Sequence, residues 1–136
     1  MAQIPQGQNR RIVMKVTELM IGDYVLDGDN VAQVTSITCD GIIETTFNET
    51  SNIEVIHPIP LTPEILEKNG FEVDEKDENM LRWRWSVIDD CISYDKSTGI
   101  VRIFYPSGLV FVKILEFVHE LQHALRLCNI DKEIVL

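Results

Sequence analysis

The segment His57-Pro58-Ile59-Pro60 places the tightest constraint on this chain. Each proline fixes φ at about −65°, lacks a backbone donor and biases the residue before it toward extended backbone, so neither a strand ladder nor a helix runs through the segment. The chain is therefore expected to fold in two parts on either side of a stiff connector. A polar stretch over 1–11 reads as a flexible tail, 12–57 as a β-rich subdomain, and 58–136 as an α+β subdomain that can pack with the first as one unit. A length of 136 residues suits one medium domain or two small ones.

The first part carries turn residues between short apolar runs. Val13 to Val16 is a β-branched run, and Tyr24-Val25-Leu26 leads into Asp27-Gly28-Asp29-Asn30, a hairpin turn. Val31 to Thr38 alternates apolar and polar residues, Asp40-Gly41 supplies a second turn, and Ile42 to Phe47 and Ile53 to Ile56 continue the pattern. Short strands at this spacing predict a small, strongly curved sheet, an SH3-like β-barrel.

After the prolines, Thr62 is a good N-cap, Pro63 a good first helical residue, and Glu64 and Lys68 pair at i,i+4, which predicts a short linking helix. Gly70 fits the left-handed position past its end, with Phe71 folding back on Leu66. Glu72 to Glu78 is an acidic run read as a solvated loop. Leu81, Trp83, Trp85 and Val87 alternate with Arg82, Arg84 and Ser86, a half-buried strand with the tryptophans inward and the arginines balancing the acidic loop. Cys91 to Tyr94, Ile100 to Tyr105 and Leu109 to Val112 add strands separated by Asp95 to Gly99 and Pro106-Ser107-Gly108. Lys113 to Cys128 follows as one long amphipathic helix, with Ile114, Phe117, Val118, Leu121, Ala124, Leu125 and Cys128 on its apolar arc. The fold class expected is α+β: the barrel, the short helix, then an antiparallel sheet backed by the long helix. Asn129 ends that helix, and Ile134 to Leu136 form an edge strand or a packed tail.

Within the long helix, His119-Glu120-Leu121-Gln122-His123 spells H-E-x-x-H. On a helix this string sets two imidazoles one turn apart as zinc ligands, with the glutamate placed to activate a metal-bound water. A catalytic zinc site takes three protein ligands. Arg126 and Asn129 stand where one zincin class has glycine and a third histidine, and the residues after Ala124 leave no room for a ligand-bearing further helix. His57 is the one other histidine. On the wheel, His119, Glu120, Gln122, His123, Glu116 and Arg126 fall opposite the apolar arc, the solvated side of an ordinary surface helix. No residue is therefore assigned a catalytic, cofactor-binding or metal-binding role, and no cofactor is expected.

Net charge of −10 disfavours tracking of phosphates, although Arg10, Arg11 and Lys15 cluster near the start, and it suits solubility or a basic protein partner. The polar start lacks the apolar core of a secretory signal, and no run approaches a membrane span. Cys39, Cys91 and Cys128 are odd in number and widely spaced, as expected of reduced thiols in the cytoplasm.

Three stretches, Leu19 to Val25, Ile59 to Phe71 and Val118 to Leu125, together resemble a group of small uncharacterised proteins from gut Bacteroidetes and their phages or prophages. The resemblance covers most of the chain from about Thr17, and Pro58-Ile59-Pro60-Leu61-Thr62 through Gly70-Phe71 is its most specific part. It implies a mobile-element accessory protein and brings no activity or cofactor with it. Three functions are open at this point. One is a non-enzymatic module binding a protein partner or a second copy through the barrel, the acidic face or a sheet edge. Another is a zinc-dependent hydrolase using His119, Glu120 and His123, with His57 or a carboxylate as third ligand. The last is an acidic nucleic-acid mimic or nucleic-acid-associated accessory protein.

Overall fold

The computed structural model describes residues 14–48, 51–84 and 91–136. The expected tail at 1–11, with Arg10 and Arg11, lies outside them, as do Trp85, Ser86 and Val87. The chain divides into two compact units between Ile59 and Pro60, within the proline connector.

The first unit is a five-stranded antiparallel sheet of β1 (Tyr24–Asp27), β2 (Asn30–Ile37), β3 (Ile42–Thr45), β4 (Ser51–Asn52) and β5 (Ile56–His57), in the order β4-β3-β2-β1-β5. Turn chemistry positions it. Gly28 and Gly41 take positive φ in the two hairpin turns, where a side chain would be strained. Alternation then sends Val25, Val34 and Ile43 to one core with Met14, Leu19 and Ile56.

The expected SH3-like barrel does not close among the described residues. Among the described residues β4 and β5 are the two edges of the sheet, and they do not pair. Closure requires that the edges meet in register. Here each edge strand is two residues long, and the intervening Ile53–Val55, expected to be extended, coils as a 3-10 turn.

A buried polar contact fastens the open sheet. Thr45 Oγ1 donates to Asp27 Oδ2 at 2.8 Å and accepts from the backbone N–H groups of Phe47 and Asn48 at 3.1 and 3.0 Å. Both Asp27 and Thr45 are buried.

The second unit is a meander of β6 (Glu72–Val73), β7 (Met80–Arg84), β8 (Cys91–Asp95), β9 (Ile100–Tyr105) and β10 (Gly108–Ile114), every strand antiparallel to its sequence neighbour. The α+β class with antiparallel sheets therefore stands. One sheet face carries Leu81, Ile92, Tyr94, Val101 and Ile103, all buried. On this helical face, Tyr105 Oη donates to the carbonyl of Cys128, and Lys132 Nζ lies 4.3 Å from the Trp83 ring centroid.

Helix α1 (Pro63–Lys68) follows its sequence signals closely. Thr62 Oγ1 accepts from Ile65 N at 3.3 Å, Gly70 takes φ 91°, and Phe71 N donates to Leu66 O at 3.0 Å. Leu66 and Phe71 are both buried, the apolar contact that accompanies this helix ending. Helix α2 spans Val118–Leu127, ten residues rather than the expected Lys113 to Cys128. Lys113 and Ile114 belong to β10, held opposite Val101 and Ile100. The hairpin ladder continues to Leu115, whose N–H donates to Gly99 O, so the helix cannot start earlier.

After α2 the chain reverses at Asn129 (φ 58°), and Ile130 N donates to Leu125 O. Ile130 and Ile134 are buried. Asn69 then grips the tail as a strand would: its Nδ2 donates to Val135 O at 2.8 Å and its Oδ1 accepts from Val135 N at 2.7 Å. No helix among the described residues is long and apolar enough to cross a membrane.

Thr45→Val is expected to lower unfolding free energy by about 1–3 kcal/mol, because it removes one donor and the acceptor of two amides. Thr45→Ser retains most of that stability, and urea denaturation distinguishes the two. Asn69→Ala is expected to accelerate hydrogen exchange at the Val135 amide by about tenfold or more, since its acceptor is lost.

Candidate functional site

The H-E-x-x-H residues lie in the opening turns of α2. Glu120 is the third helical residue, and its Oε1 accepts from the backbone N–H groups of Glu116 at 2.8 Å and Phe117 at 3.0 Å. This is the return half of a capping box, which satisfies amides that the helix start leaves without a partner. An acid that activates a metal-bound water must present its carboxylate to the metal. Glu120 instead directs an oxygen back along its own chain.

His119 departs from the expected solvated face. It is 5% exposed, and its ring stacks on Phe117 with centroids 5.9 Å apart and planes 12° from parallel. His123 meets it edge-on at 5.4 Å. Gln122, also expected outside, is buried. The helix thus buries a wider arc than its apolar residues mark, because an imidazole with an aromatic neighbour and an amide with polar contacts are accommodated inside. Among the described residues, no three or more His, Cys, Asp or Glu side chains converge as metal ligands. His57 is buried within the first unit, in β5 opposite Leu26. Burial pushes the Cys128 thiol up, away from the thiolate form that binds metals or attacks.

The sheet of the second unit presents a different candidate. Residues opposite one another across an antiparallel sheet share a face, so the register places Arg82, Ser93, Arg102 and Val112 in one row on the face away from the helices. Arg84, Cys91, Phe104 and Leu109 form the next row. Arg82 Nε pairs with Asp74 Oδ2 at 2.8 Å, which realises the expected balance between the strand and the acidic run. The acidic run itself is part strand, since Glu72 and Val73 form β6.

At the far edge, β10 is exposed along nearly its whole length. Leu109, Val110, Val112 and Ile114 are each between 47 and 55% exposed. The sheet register shifts between Leu109 and Phe111, a β-bulge, and Lys113 is the strand's single charged residue. Sequence alternation located the strand but missed this exposure. Leu-Val-Phe-Val-Lys-Ile looks like a buried central strand, and only sheet order shows it to be an edge. The long helix expected from Lys113 onward also drew Lys113 and Ile114 away from it.

No protein-family model, curated protein or solved structure matches the chain.

Glu120→Ala is expected to lower stability by about 0.5–2 kcal/mol through loss of the cap, equally with and without a strong chelator. A loss seen only without chelator, in parallel urea titrations, overturns the capping role.

Proposed function

We propose that this chain is a non-enzymatic protein-interaction module whose interface is the free edge of β10. One observation carries the proposal. Of the four sheet edges among the described residues, β4, β5 and β6 are two-residue strands, whereas β10 has seven. Very short edge strands offer little to pair with, and a long apolar edge is a template for another strand. Three edges of this fold are blunted by length and one is not.

The side chains favour the same surface. Fully burying an aliphatic side chain contributes about 1.5–3 kcal/mol, so four half-exposed ones hold roughly 3–6 kcal/mol in reserve. Main-chain hydrogen bonds along an added strand supplement this, against an association cost of about 4–15 kcal/mol. Such a balance suits a reversible complex. Lys113 and the bulge limit which strands fit, as edge charges and bulges do in natural sheets. The resemblance to phage and prophage proteins suggests a cytoplasmic bacterial setting on behalf of a mobile element.

A photo-crosslinking residue at Leu109 is expected to capture a discrete protein chain. Adding Val112→Asp and Ile114→Asp should reduce that capture by about tenfold or more, because charges replace apolar contacts at the edge. Equal capture by the double variant, with unchanged circular dichroism, overturns the β10 interface.

A further inference from the structure

We propose that the second sheet, on its face away from the helices, binds a short peptide with free termini. The peptide carboxylate sits over Ser93 between Arg82 and Arg102, and the ammonium group lies among the carboxylates beside β6. This site is separate from the β10 edge and does not depend on it.

Two buried donors without acceptors carry the proposal. Ser93 is 1% exposed, and its hydroxyl makes no hydrogen bond. Arg82 stands directly opposite it on β7. Arg82 Nε lies 2.8 Å from Asp74 Oδ2, but its N–H is not aligned on that oxygen, so the contact is one of charge and the donor keeps no hydrogen bond. Buried polar groups in this condition are costly and uncommon, and a bound group that supplies the missing partner accounts for them. Arg102 flanks Ser93 from the other side, on β9. A hydroxyl between two guanidinium groups offers donors and positive charge, and a carboxylate meets both with two oxygens and one negative charge. The Arg82 side chain is 38% exposed and Arg102 is half-buried, so these long side chains can move aside to admit it.

Charge decides what the carboxylate is attached to. A chain of net charge −10 repels a simple anion, and a phosphate dianion more than a carboxylate. A zwitterion brings no net charge. On the β6 side of Arg82 is a cleft of about 710 Å³ lined by both signs: Glu72, Asp74 and Glu75 with Lys76, Arg82 and Arg84. Asp74 is matched by Arg82, whereas Glu72 and Glu75 form no ion pair among the described residues. An ammonium group supplies their counter-charge.

Spacing sets the length of the ligand. Glu72 lies opposite Arg82, in the row of Ser93, so two strand spacings, about 9.5 Å, separate it from Ser93. The charges of a single amino acid flank one carbon and are too close together. Three extended residues span about 10 Å.

Triglycine titrated into the isotope-labelled full chain, followed by NMR, tests this. Saturable shifts are expected at the Ser93 amide and the Arg82 Nε–H, with a Kd of about 1 mM or tighter. Ser93→Ala should weaken binding by about tenfold without lowering thermal stability, because the hydroxyl has no partner in the free chain. Arg102→Gln, or triglycine amide in place of triglycine, should cost about tenfold or more. Glu72→Gln should weaken triglycine by about threefold and leave N-acetyltriglycine, which lacks the ammonium group, unaffected.

An absence of shifts at Ser93 up to about 20 mM triglycine overturns the site. Equal binding by the amide, or by the Ser93→Ala chain, overturns the placement of the carboxylate. Acetate or inorganic phosphate binding as tightly as triglycine indicates an adventitious ion only and overturns the peptide as ligand. None of these outcomes alters capture from Leu109, so the β10 interface is judged independently.

Discussion

The junction between β10 and α2 governs the second unit. The β9–β10 ladder holds the chain extended through Ile114 and hands Leu115 to Gly99 O. Helix formation then requires that the amides beyond the last sheet bond find acceptors, and Glu120 supplies one for both Glu116 and Phe117. Leu61 N donates to Glu116 O at the same place, and Pro60 forms a bridge with Phe117. Strand end, helix start and the entry to the unit are thus fixed within a few residues. That junction sets the length of β10 and the burial of His119, and so determines which of the sequence-marked residues are exposed.

Much of the fold was legible because its signals are local. Gly28, Gly41 and Gly70 each occupy a positive-φ position in the turn or helix end where the sequence placed them. Thr62, Pro63 and the Leu66–Phe71 contact delimit α1, and Leu81 and Trp83 face inward as their alternation requires. What sequence did not disclose depends on pairing between distant segments. Barrel closure depends on two edges that do not pair among the described residues, and nothing in Ser51 to His57 announces that Ile53–Val55 will coil. A periodic run such as Lys113 to Cys128 satisfies a helix wheel from its first residue, yet sheet hydrogen bonds claim its first turn. Propensity yields there to the ladder.

The candidate site separates along the same line. H-E-x-x-H is a local pattern, and it describes a helix start as well as a metal centre, because a glutamate at the third helical position is also a capping residue. Local letters could not choose between the two, and the structure shows the Glu120 carboxylate accepting from the cap amides of Glu116 and Phe117. The β10 edge, by contrast, was hidden because exposure belongs to sheet order. A central strand and an edge strand share the same apolar residues, and only Lys113 hinted at the difference.

Edge protection in this fold is uneven, and the unevenness is informative. β6 is short, acidic at Glu72 and followed by a run of carboxylates, so approach of another strand there meets both repulsion and a lack of partners. β4 and β5 are equally short. If the long apolar edge at β10 were a tolerated defect, replacing one or two of Leu109, Val110, Val112 and Ile114 by polar residues would remove it at little cost in stability, because all are about half exposed. In this chain the strand is apolar apart from a single lysine and carries a bulge. Those two features leave pairing at this edge possible but restrict its register.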